Sequence, residues 1–564
     1  FDWMKKVTMR EIVLLSLSII IQLAECTITS VTVSCDGFSP WGDTQVSCTV
    51  NDPDSTSSAS SQAKYDSSIV DSAGWWVLDV NSYSSDSSPS SLRSAAYAAG
   101  VAEGILSCKE ITQFKYNVLT SSFGRGPNAG PNDEILSFIS DNEAWVDSQI
   151  SALGETDDYW LAVAQLTSTL DGLLEGYNQH SECSQQDDFV AMSSLDLTLI
   201  NLDGDLFDLM TAYPDSNAVP TGRAGLRHSP HEFPTKKNTT KELRCSSLFK
   251  VTEDDIYFGH DTWDTYATAA PRIFKHISLP VRRGAETVPY LNSFSSSPGF
   301  VASIDDYYLL SGSSRLAVIE TSNEVYNTSV YSLLSPETNM CWVRSMVANM
   351  LATNGSDWST QFARFHSGTY NNQWMVLDAN KFVAGDASVT DLFWVLEEAP
   401  GLVHAEDMTE KLLMDGYWAS YNVAYFDDIR AQMGETESYT DCPRANLFRE
   451  MESSVVDAVS MKAVMGWNDY TNDPYSLDKP SNAIMARDDL MGFAAGGIDS
   501  KCSSLSVSRG ASGDALVTHA RAGPTHDSLP PFCWNGTQAL DATPHRGHPA
   551  CFDYDWNDVQ PKSQ

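Results

Sequence analysis

Apolar residues are spaced differently in the two halves of this chain. Over residues 134–150 and 160–177 they recur at three- and four-residue steps, which predicts amphipathic helices. Residues 95–105 are mostly small, which is typical of a helix that another helix approaches closely. After Cys245 the pattern predicts strands with helices between them. The predicted strands are two short ones within 246–258 and others at 307–310, 316–321 and 374–377, and the predicted helices are 340–351 and 356–364.

The remaining segments are less periodic. Residues 27–50 alternate β-branched and polar side chains, as strands do, and residues 51–94 are rich in Ser and Asp around one apolar run at 73–79. Residues 189–209 predict one more helix. The tail from residue 496 is rich in Ser, Gly, Pro and Asp, which predicts extended segments wrapped over a core.

An apolar run near the amino end predicts a secretory signal. Residues 12–23 form this run of 12 residues behind the basic side chains Lys5, Lys6 and Arg10, and it is too short to span a bilayer comfortably. We therefore expect residues 1–26 to be removed. No later run resembles a membrane span, so we expect no stable membrane insertion and a luminal or secreted mature protein.

Sequons and cysteines agree with that location. The N-x-S/T motifs at Asn238, Asn327, Asn354 and Asn535 predict glycosylation. The 11 cysteines contain no CxxC pair, so zinc-ribbon and thioredoxin chemistry have no support, and oxidising conditions favour disulfides. Cys35–Cys48 and Cys533–Cys551 are plausible local pairs, although spacing alone does not fix connectivity.

The net charge of −39 excludes some partners. Phosphates of nucleic acid and anionic membrane surfaces would both be repelled. An acidic surface suits an acidic compartment such as the lysosome, where protonation of carboxylates relieves self-repulsion, although a simply solvated acidic surface explains the charge equally well. The hydrophobic content of 42%, with 15 Trp, is enough for a large folded core.

One segment departs from this acidic composition. Residues 215–244 contain three prolines, a sequon and six Lys or Arg residues, and they predict an exposed, protease-sensitive basic connector. We therefore divide the mature chain into a helix-rich fragment at 27–214 and a strand-rich fragment at 245–564, which together form one globular unit. Whether the connector is excised stays open.

Several common catalytic motifs are absent from the sequence. There is no G-x-S-x-G pentad of the usual serine esterases and no HExxH zinc motif. The 11 histidines are scattered rather than clustered. We therefore expect no metal and no cofactor.

Six short motifs together resemble those of the phospholipase B-like proteins, over residues 73 to the carboxyl end. The stretch SGTYNNQW is the most specific of them. The motifs are CSS at 245–247, HDTW at 260–263, ETS at 320–322, HSGTYNNQW at 366–374, PRANLFR at 443–449 and AIMARD at 483–488. The resemblance implies an α+β fold, namely the four-layered αββα sandwich of N-terminal-nucleophile hydrolases. It also implies a glycosylated lysosomal or secreted protein that matures by cleavage between Arg244 and Cys245, with both fragments remaining associated.

The resemblance also implies roles for particular residues. Cys245 would be the nucleophile, and related cysteine acylases place an Asp where Asp264 stands. The other residues implied around the thiol are His260, Trp263, Thr321, Asn371, Asn372 and Arg444. Cleavage would give Cys245 a free α-amino group of pKa ~7.7–8.0, which can take the thiol proton without a separate base. His366 stands where the family usually has Asn, and we hypothesise that it shifts the pH optimum if it lines the pocket.

The leading functional prediction is a self-processed hydrolase that cleaves acyl ester bonds of phospholipids in lipid degradation. The alternative within enzymes is an amidase acting on N-acyl amides or small peptides, so the substrate is a lipid or an N-acyl small molecule. A third alternative is a processed glycoprotein with a closed site that acts as a binding protein. Homo-oligomer formation stays open.

Overall fold

The computed structural model describes most of the chain. The described residues are 29–36, 47–51, 60–124, 130–186, 189–214, 245–312, 314–510, 515–534, 540 and 542–561. The predicted signal, the basic connector with Arg244, and the sequons at Asn238 and Asn535 lie outside these residues. Within them, helices and large sheets are both abundant, which confirms the predicted α+β class.

The helices concentrate in the amino-terminal part of the chain. Side chains cap several of them: Ser88 accepts a hydrogen bond from the Ser91 N–H, and Asn132 accepts one from the Ile135 N–H. The helices are α1 Val70–Ala73, α2 Pro89–Leu106, α3 Cys108–Phe123, α4 Asp133–Leu153, α5 Asp158–Glu175, α6 Ser194–Asn201, α7 Asp203–Ala212, α8 Cys341–Leu351, α9 Gly355–Phe362, α10 Thr409–Asp415, α11 Asp427–Met433, α12 Pro443–Met451, α13 Ala458–Met465 and α14 Leu505–Arg509.

The described strands form an 11-stranded sheet, here called the large sheet, a 6-stranded sheet, here called the small sheet, and a separate pair of strands. The large sheet has the order β13-β12-β11-β10-β9-β8-β7-β4-β3-β1-β2, and the small sheet has the order β14-β5-β6-β15-β16-β19. The strands are β1 Thr29–Asp36, β2 Ser47–Asn51, β3 Ser61–Asp66, β4 Trp75–Ser82, β5 Ser246–Val251, β6 Ile256–Thr265, β7 Arg272–Arg283, β8 Glu286–Ser296, β9 Tyr307–Ser311, β10 Leu316–Ser322, β11 Asn372–Asp378, β12 Phe393–Ala399, β13 Leu402–Asp407, β14 Tyr417–Ser420, β15 Ala495–Ser504, β16 Thr518–Ala522, β17 Phe532–Cys533, β18 Cys551–Phe552 and β19 Asn557–Val559.

The large sheet joins the two parts of the chain that flank residues 215–244. Strand β4, from before this segment, runs parallel to β7, from after it, and pairs with it over seven residues from Trp75↔Arg272 to Asn81↔Ser278. All other pairings in this sheet are antiparallel. The two parts therefore share one sheet and one core.

The core is divided by the sheets because successive strand residues point to opposite faces. Leu78 and Val80 of the large sheet pack with α2, α5, α8 and α9, whereas Val77 packs with side chains of the small sheet. The other face of the small sheet packs against α12 and α13. Apolar side chains from both sheets thus fill the space between them.

Helices α2 and α5 pack at unusually short range through glycines. A Cβ atom on Gly100 would come within 2.0 Å of the Thr169 carbonyl oxygen, and one on Gly172 within 2.0 Å of the Tyr97 carbonyl oxygen. Any side chain at these positions would force the helices apart. The small residues at 95–105 therefore have the role that the sequence predicts.

Three disulfides are present among the described cysteines. Cys35–Cys48 and Cys533–Cys551 confirm the two predicted pairs, and Cys108–Cys183 joins α3 to a short 3₁₀ turn. Cys108–Cys183 was not predicted, because cysteines 75 residues apart cannot be paired from their spacing. The other described cysteines, Cys245, Cys341, Cys442 and Cys502, take part in no disulfide, and all four are buried.

The prediction for the tail was wrong in one respect. Strand β15 is a central, fully buried strand of the small sheet rather than an extended segment over the core. The polar residues of this strand did not indicate burial, because Asp499 and Lys501 are paired with buried residues that lie far away in the sequence. Among the described helices, none is both long and apolar enough to cross a bilayer.

The two described sequons differ in exposure. Asn327 is exposed ahead of a 3₁₀ turn. Asn354 is half-buried, and its side chain caps α9 by accepting a hydrogen bond from the Asp357 N–H. Glycosylation of either asparagine stays a prediction.

A buried histidine makes the stability of the fold depend on pH. His276 on β7 is 2% exposed, neither ring nitrogen has a hydrogen-bond partner among the described residues, and burial lowers its pKa to about 3. The unfolded chain takes up a proton near the ordinary pKa of 6.5, whereas the folded chain does not. Stability is therefore lost as the pH falls below that value.

We expect His276→Phe to remove this loss. Between pH 7 and pH 5, the free energy of unfolding of the wild-type chain should fall by about 2 kcal/mol relative to that of the variant, at about 1.36 kcal/mol per pKa unit. Urea unfolding at the two pH values measures the difference. His180→Gln, at a partly exposed ring, is the control. Parallel pH dependences of wild type and His276→Phe would contradict the assignment.

Candidate active site

Cys245 lies directly before β5, in the interior of the small sheet. Strand β5 is hydrogen-bonded between β14 and β6, so both of its edges are covered. Cys245 is 5% exposed, and its thiol takes part in no disulfide. The sulfur therefore faces the protein interior, where neighbouring side chains decide its chemistry.

Arg444 fixes the backbone of Cys245. This residue is the second of α12, and its guanidinium donates through Nη1 to the carbonyl oxygen of Cys245 at 2.5 Å and to Ser246 Oγ at 3.1 Å. Nη2 donates to the Tyr421 carbonyl at 2.6 Å and to Asn422 Oδ1 at 2.7 Å. A planar, five-donor guanidinium suits four acceptors at once.

Trp263 completes the surroundings of Arg444 and of the thiol. Its ring lies 4.4 Å from the Arg444 guanidinium carbon, within the range of a cation–π contact. Its backbone N–H is directed at the Cys245 sulfur, which acts to lower the thiol pKa. We call Arg444, with the Cys245 carbonyl, Ser246, Asn422 and Trp263 around it, the clamp. Strand β6 thus contributes a ring to the clamp and a backbone donor to the sulfur.

His260 and Glu320 lie at the thiol. The Cys245 sulfur, a ring nitrogen of His260 and a carboxyl oxygen of Glu320 are all within 4.8 Å of one another. His260 is on β6 of the small sheet and Glu320 is on β10 of the large sheet. The cluster therefore forms where the two sheets meet, and it requires both.

A network of buried charges lies behind His260. Lys501 Nζ donates to Thr262 Oγ1 at 2.6 Å, and that hydroxyl lies 3.5 Å from His260 Nδ1. Lys501 also pairs with Asp305 at 3.3 Å. Further members of the network are Arg272 and Asp499, which pair at 2.7 Å. Two cations and two carboxylates balance in charge, so the network holds β6, β7 and β15 together without a net buried charge.

Burial favours the uncharged forms of the three side chains at the sulfur. It raises the pKa of the Cys245 thiol well above its ordinary value, and the Glu320 charge acts in the same direction. Burial and the positive charge of Lys501 lower the pKa of His260, and burial followed by the Asp306 charge raises the pKa of Glu320. Each shift favours the uncharged form of its group, so the thiol needs a base before it can attack.

Thr321 is connected to the clamp through the small sheet. Its hydroxyl lies 2.6 Å from Ser420 Oγ, and Ser420 pairs with Ser247 on β5. The Asn422 N–H approaches the same hydroxyl at 3.4 Å, and Asn422 Nδ2 donates to the Ser322 carbonyl at 2.6 Å. Thr321 and Asn422 therefore bind the large sheet to the segment that Arg444 holds.

Three other predicted site residues have contacts elsewhere. Asn371 Nδ2 donates to Asp208 at 3.2 Å and to the Gly368 carbonyl at 2.9 Å. Asn372 Nδ2 lies 3.8 Å from the Cys341 sulfur, toward α8. Asp264 accepts hydrogen bonds from the Thr265 N–H at 2.6 Å and from the Thr268 hydroxyl at 2.9 Å, and thereby stabilises the turn that follows β6.

His366 belongs to a different buried group. Its Nε2 lies 3.0 Å from Glu398, which also pairs with Arg344 at 2.9 Å. Burial lowers the pKa of His366, and Glu398 opposes that shift. Among the contacts of the described residues, none joins His366 to the Cys245 cluster.

Sequence reasoning missed several residues around the thiol. Glu320 stands inside the ETS motif and could have been considered on that ground. Asn422 lies in none of the six motifs. Its backbone adopts a left-handed conformation, with φ at 67°. Arg272, Asp305 and Lys501 carry no local signal, because their partners are distant along the chain.

We expect Arg444→Lys to lower the free energy of unfolding by about 1–3 kcal/mol, because a single ammonium leaves buried acceptors unpaired. Arg449→Lys is the matched control, since this arginine lies on the same helix but is exposed. That change should stay within about 0.5 kcal/mol of wild type. Urea unfolding measures both variants, and equal losses would show that the clamp adds no stability.

Comparisons with known proteins identify the family of this chain. The family model described as Phospholipase B matches residues 61–559. Phospholipase B-like protein G of Dictyostelium discoideum is 33% identical over 522 residues, which cover 87% of this chain and 85% of the relative. Phospholipase B-like 1 of Rattus norvegicus is 32% identical over 514 residues, covering 87% and 86% of the two chains. Phospholipase B of Crotalus adamanteus is 31% identical over 517 residues, covering 88% of each chain. The resemblance of the motifs is thus confirmed, and this chain belongs to the phospholipase B family.

Proposed function

We propose that this chain is a hydrolase that cleaves acyl ester bonds of phospholipids with the thiol of Cys245. The names of its relatives support the phospholipase B-like activity. The observation that carries the proposal is the fixed position of Cys245. Arg444 holds its carbonyl oxygen while its thiol faces His260 and Glu320, so the one residue is oriented at both its backbone and its side chain.

The packing order supports a fold of the N-terminal-nucleophile hydrolase type. Helices cover the outer face of the large sheet, the two sheets face each other, and further helices cover the outer face of the small sheet. This order supports the proposal of a four-layered αββα sandwich. Cys245 immediately precedes a strand of an inner layer, where such enzymes carry their nucleophile.

Maturation would begin with the thiol itself. The neutral imidazole of His260 takes the thiol proton, and the sulfur attacks the carbonyl carbon of Arg244. The C–N bond to Cys245 breaks as its nitrogen takes up a proton, for which the Glu320 carboxyl, whose protonated form burial favours, is a source. The resulting thioester is hydrolysed by water, which releases Arg244 as a carboxylate and leaves Cys245 with a free thiol and α-amino group.

The same thiol then acts on the substrate. The α-amino group, of ordinary pKa ~7.7–8.0, takes the thiol proton as the sulfur attacks the ester carbonyl. The ammonium returns that proton to the leaving alcohol, and an acyl thioester remains on Cys245. Water, deprotonated by the amine, attacks the thioester, so a fatty acid leaves and the thiol is regenerated.

The developing oxyanion needs a hydrogen-bond donor. One Nδ2 hydrogen of Asn422 is donated to the Ser322 carbonyl, and the second is a better candidate than Asn371 or Asn372. Arg444 donates both to the Cys245 carbonyl and to Asn422 Oδ1, so the Asn422 side chain lies beside the nucleophile. The amide groups of Asn371 and Asn372 are directed to Asp208 and Cys341 instead. Losing an oxyanion donor costs roughly 10²–10³ in turnover in well-studied hydrolases.

The setting that we propose is the secretory pathway, in a lysosome-like acidic compartment or outside the cell. The sequons, the disulfides and the negative charge support it. We further propose that the two fragments stay associated after cleavage, because β4 and β7 of the large sheet come from different fragments.

Maturation is tested by mass spectrometry and amino-terminal sequencing of the purified protein. We expect wild type to contain a fragment whose first residue is Cys245, Cys245→Ala to remain uncut, and Cys502→Ala, at another buried free thiol, to be cut normally. Each described disulfide lies within one fragment, so the fragments should elute together natively yet separate on a denaturing gel without reductant. A Cys245→Ala protein cut at the same bond would assign the cleavage to an external protease.

Substrate class is separated by a matched pair of compounds. Mixed micelles of a phosphatidylcholine and an N-acyl amide with the same acyl chain are offered to the mature protein, and fatty-acid release is measured. Faster release from the ester supports the proposal. Release from the amide alone would make the protein an amidase, and no release from either by a correctly cut protein would favour a binding function.

A further inference from the structure

The cluster at Cys245 contains three side chains of the types that zinc prefers. Thiolate sulfur, imidazole nitrogen and carboxylate oxygen are the common zinc ligands in proteins. The Cys245 sulfur, a His260 ring nitrogen and a Glu320 oxygen lie within 4.8 Å of one another, and all three residues are buried. This grouping was not expected from the sequence, because 60 residues separate Glu320 from His260.

Two atoms of the cluster lack hydrogen-bond partners. Within the described part of the chain, His260 Nε2 and Glu320 Oε2 are buried without one. The other ring nitrogen, Nδ1, lies 3.5 Å from the Thr262 hydroxyl, which Lys501 holds at 2.6 Å. A metal-binding histidine usually has its second ring nitrogen beside an orienting group, and the Thr262 hydroxyl is in that position here.

We propose that Cys245, His260 and Glu320 form a binding site for a thiophilic divalent cation, with Zn²⁺ as the prime candidate, and that occupation of this site blocks the nucleophile. The inhibitory consequence rests on the proposed function of Cys245, whereas the binding site itself does not. The function would then be regulated by free zinc.

The dimensions of the cluster suit a tetrahedral ion. Zinc–ligand bonds of about 2.0–2.3 Å place tetrahedral ligand atoms roughly 3.3–3.8 Å apart. The present separations of up to 4.8 Å therefore need a closure of about 1 Å, which side-chain rotation can supply. The charges also suit a dication. The ion displaces one proton from the thiol and one from the carboxyl to solvent, and the resulting thiolate and carboxylate neutralise it, while Lys501 and Arg272 are already matched by Asp305 and Asp499.

Three ligands predict a reversible site rather than a structural one. Structural zinc sites are closed by four protein ligands, whereas sites with three keep an exchangeable position. A chelator should therefore remove the ion without unfolding the protein.

Binding is measured on the purified full protein with Zn²⁺ alone, by competition with a chromophoric chelator, and with Co²⁺ as an optical probe of thiolate ligation. We expect one strong site per chain and a thiolate-to-cobalt absorption band. Cys245→Ala should lose the band, and His260→Gln and Glu320→Gln should each weaken binding at least about tenfold. Cys502→Ala, which removes a buried free thiol elsewhere in the small sheet, should bind as wild type does. Wild-type affinity in Glu320→Gln and His260→Gln, or a missing cobalt band, would overturn the site.

Inhibition is measured separately as the rate of ester hydrolysis against free Zn²⁺. The half-inhibiting concentration should equal the measured Kd, and a chelator should restore the rate. A protein that binds zinc at these residues but hydrolyses nothing would refute the proposed function and leave the site intact. A protein that hydrolyses esters but binds no zinc would refute this inference alone.

Discussion

The hydrogen bond from Arg444 to the carbonyl oxygen of Cys245 is the contact on which the rest of the site depends. It fixes the backbone on the carboxyl side of the residue, so the thiol keeps its direction whether or not a peptide bond precedes it. The same guanidinium holds Asn422 and lies over the Trp263 ring, which links helix α12 to strands β5 and β6. The packing of helix α12 on the small sheet therefore sets the geometry at the sulfur. The single ammonium of a lysine could not replace the planar guanidinium of Arg444, which donates in several directions at once.

The junction between the sheets supplies the electrostatics. Glu320 comes from the large sheet and His260 from the small one, and they meet at a thiol that neither sheet could surround alone. Behind them, Lys501 is paired to a carboxylate and orients the hydroxyl beside His260. Low solvent access raises the pKa of the Cys245 thiol, so a base newly made at Cys245 would change its reactivity sharply.

Helices and strands were predictable from the sequence where the spacing of apolar residues matches the face that the element buries. Helix α5 and strand β10 were predicted because their apolar spacing follows the face that they bury. Strand β15 was missed because its polar residues are paired across the core, which leaves no pattern along the chain. Motif matching brought the residues of the clamp together, but it could not tell which of two adjacent asparagines faces the sulfur, and Asn371 and Asn372 in fact point elsewhere. Asn422 is brought close only by folding.

Trapping of the acyl-enzyme tests the central claim most directly. The mature protein is mixed with a slowly hydrolysed acyl ester and quenched in acid, where a protonated α-amino group cannot capture the acyl chain from sulfur. Peptide mapping by mass spectrometry should find the acyl mass on Cys245 alone, released by hydroxylamine as a thioester is. Acylation of a serine instead, or turnover that continues in a protein whose Cys245 is fully alkylated, would contradict the account.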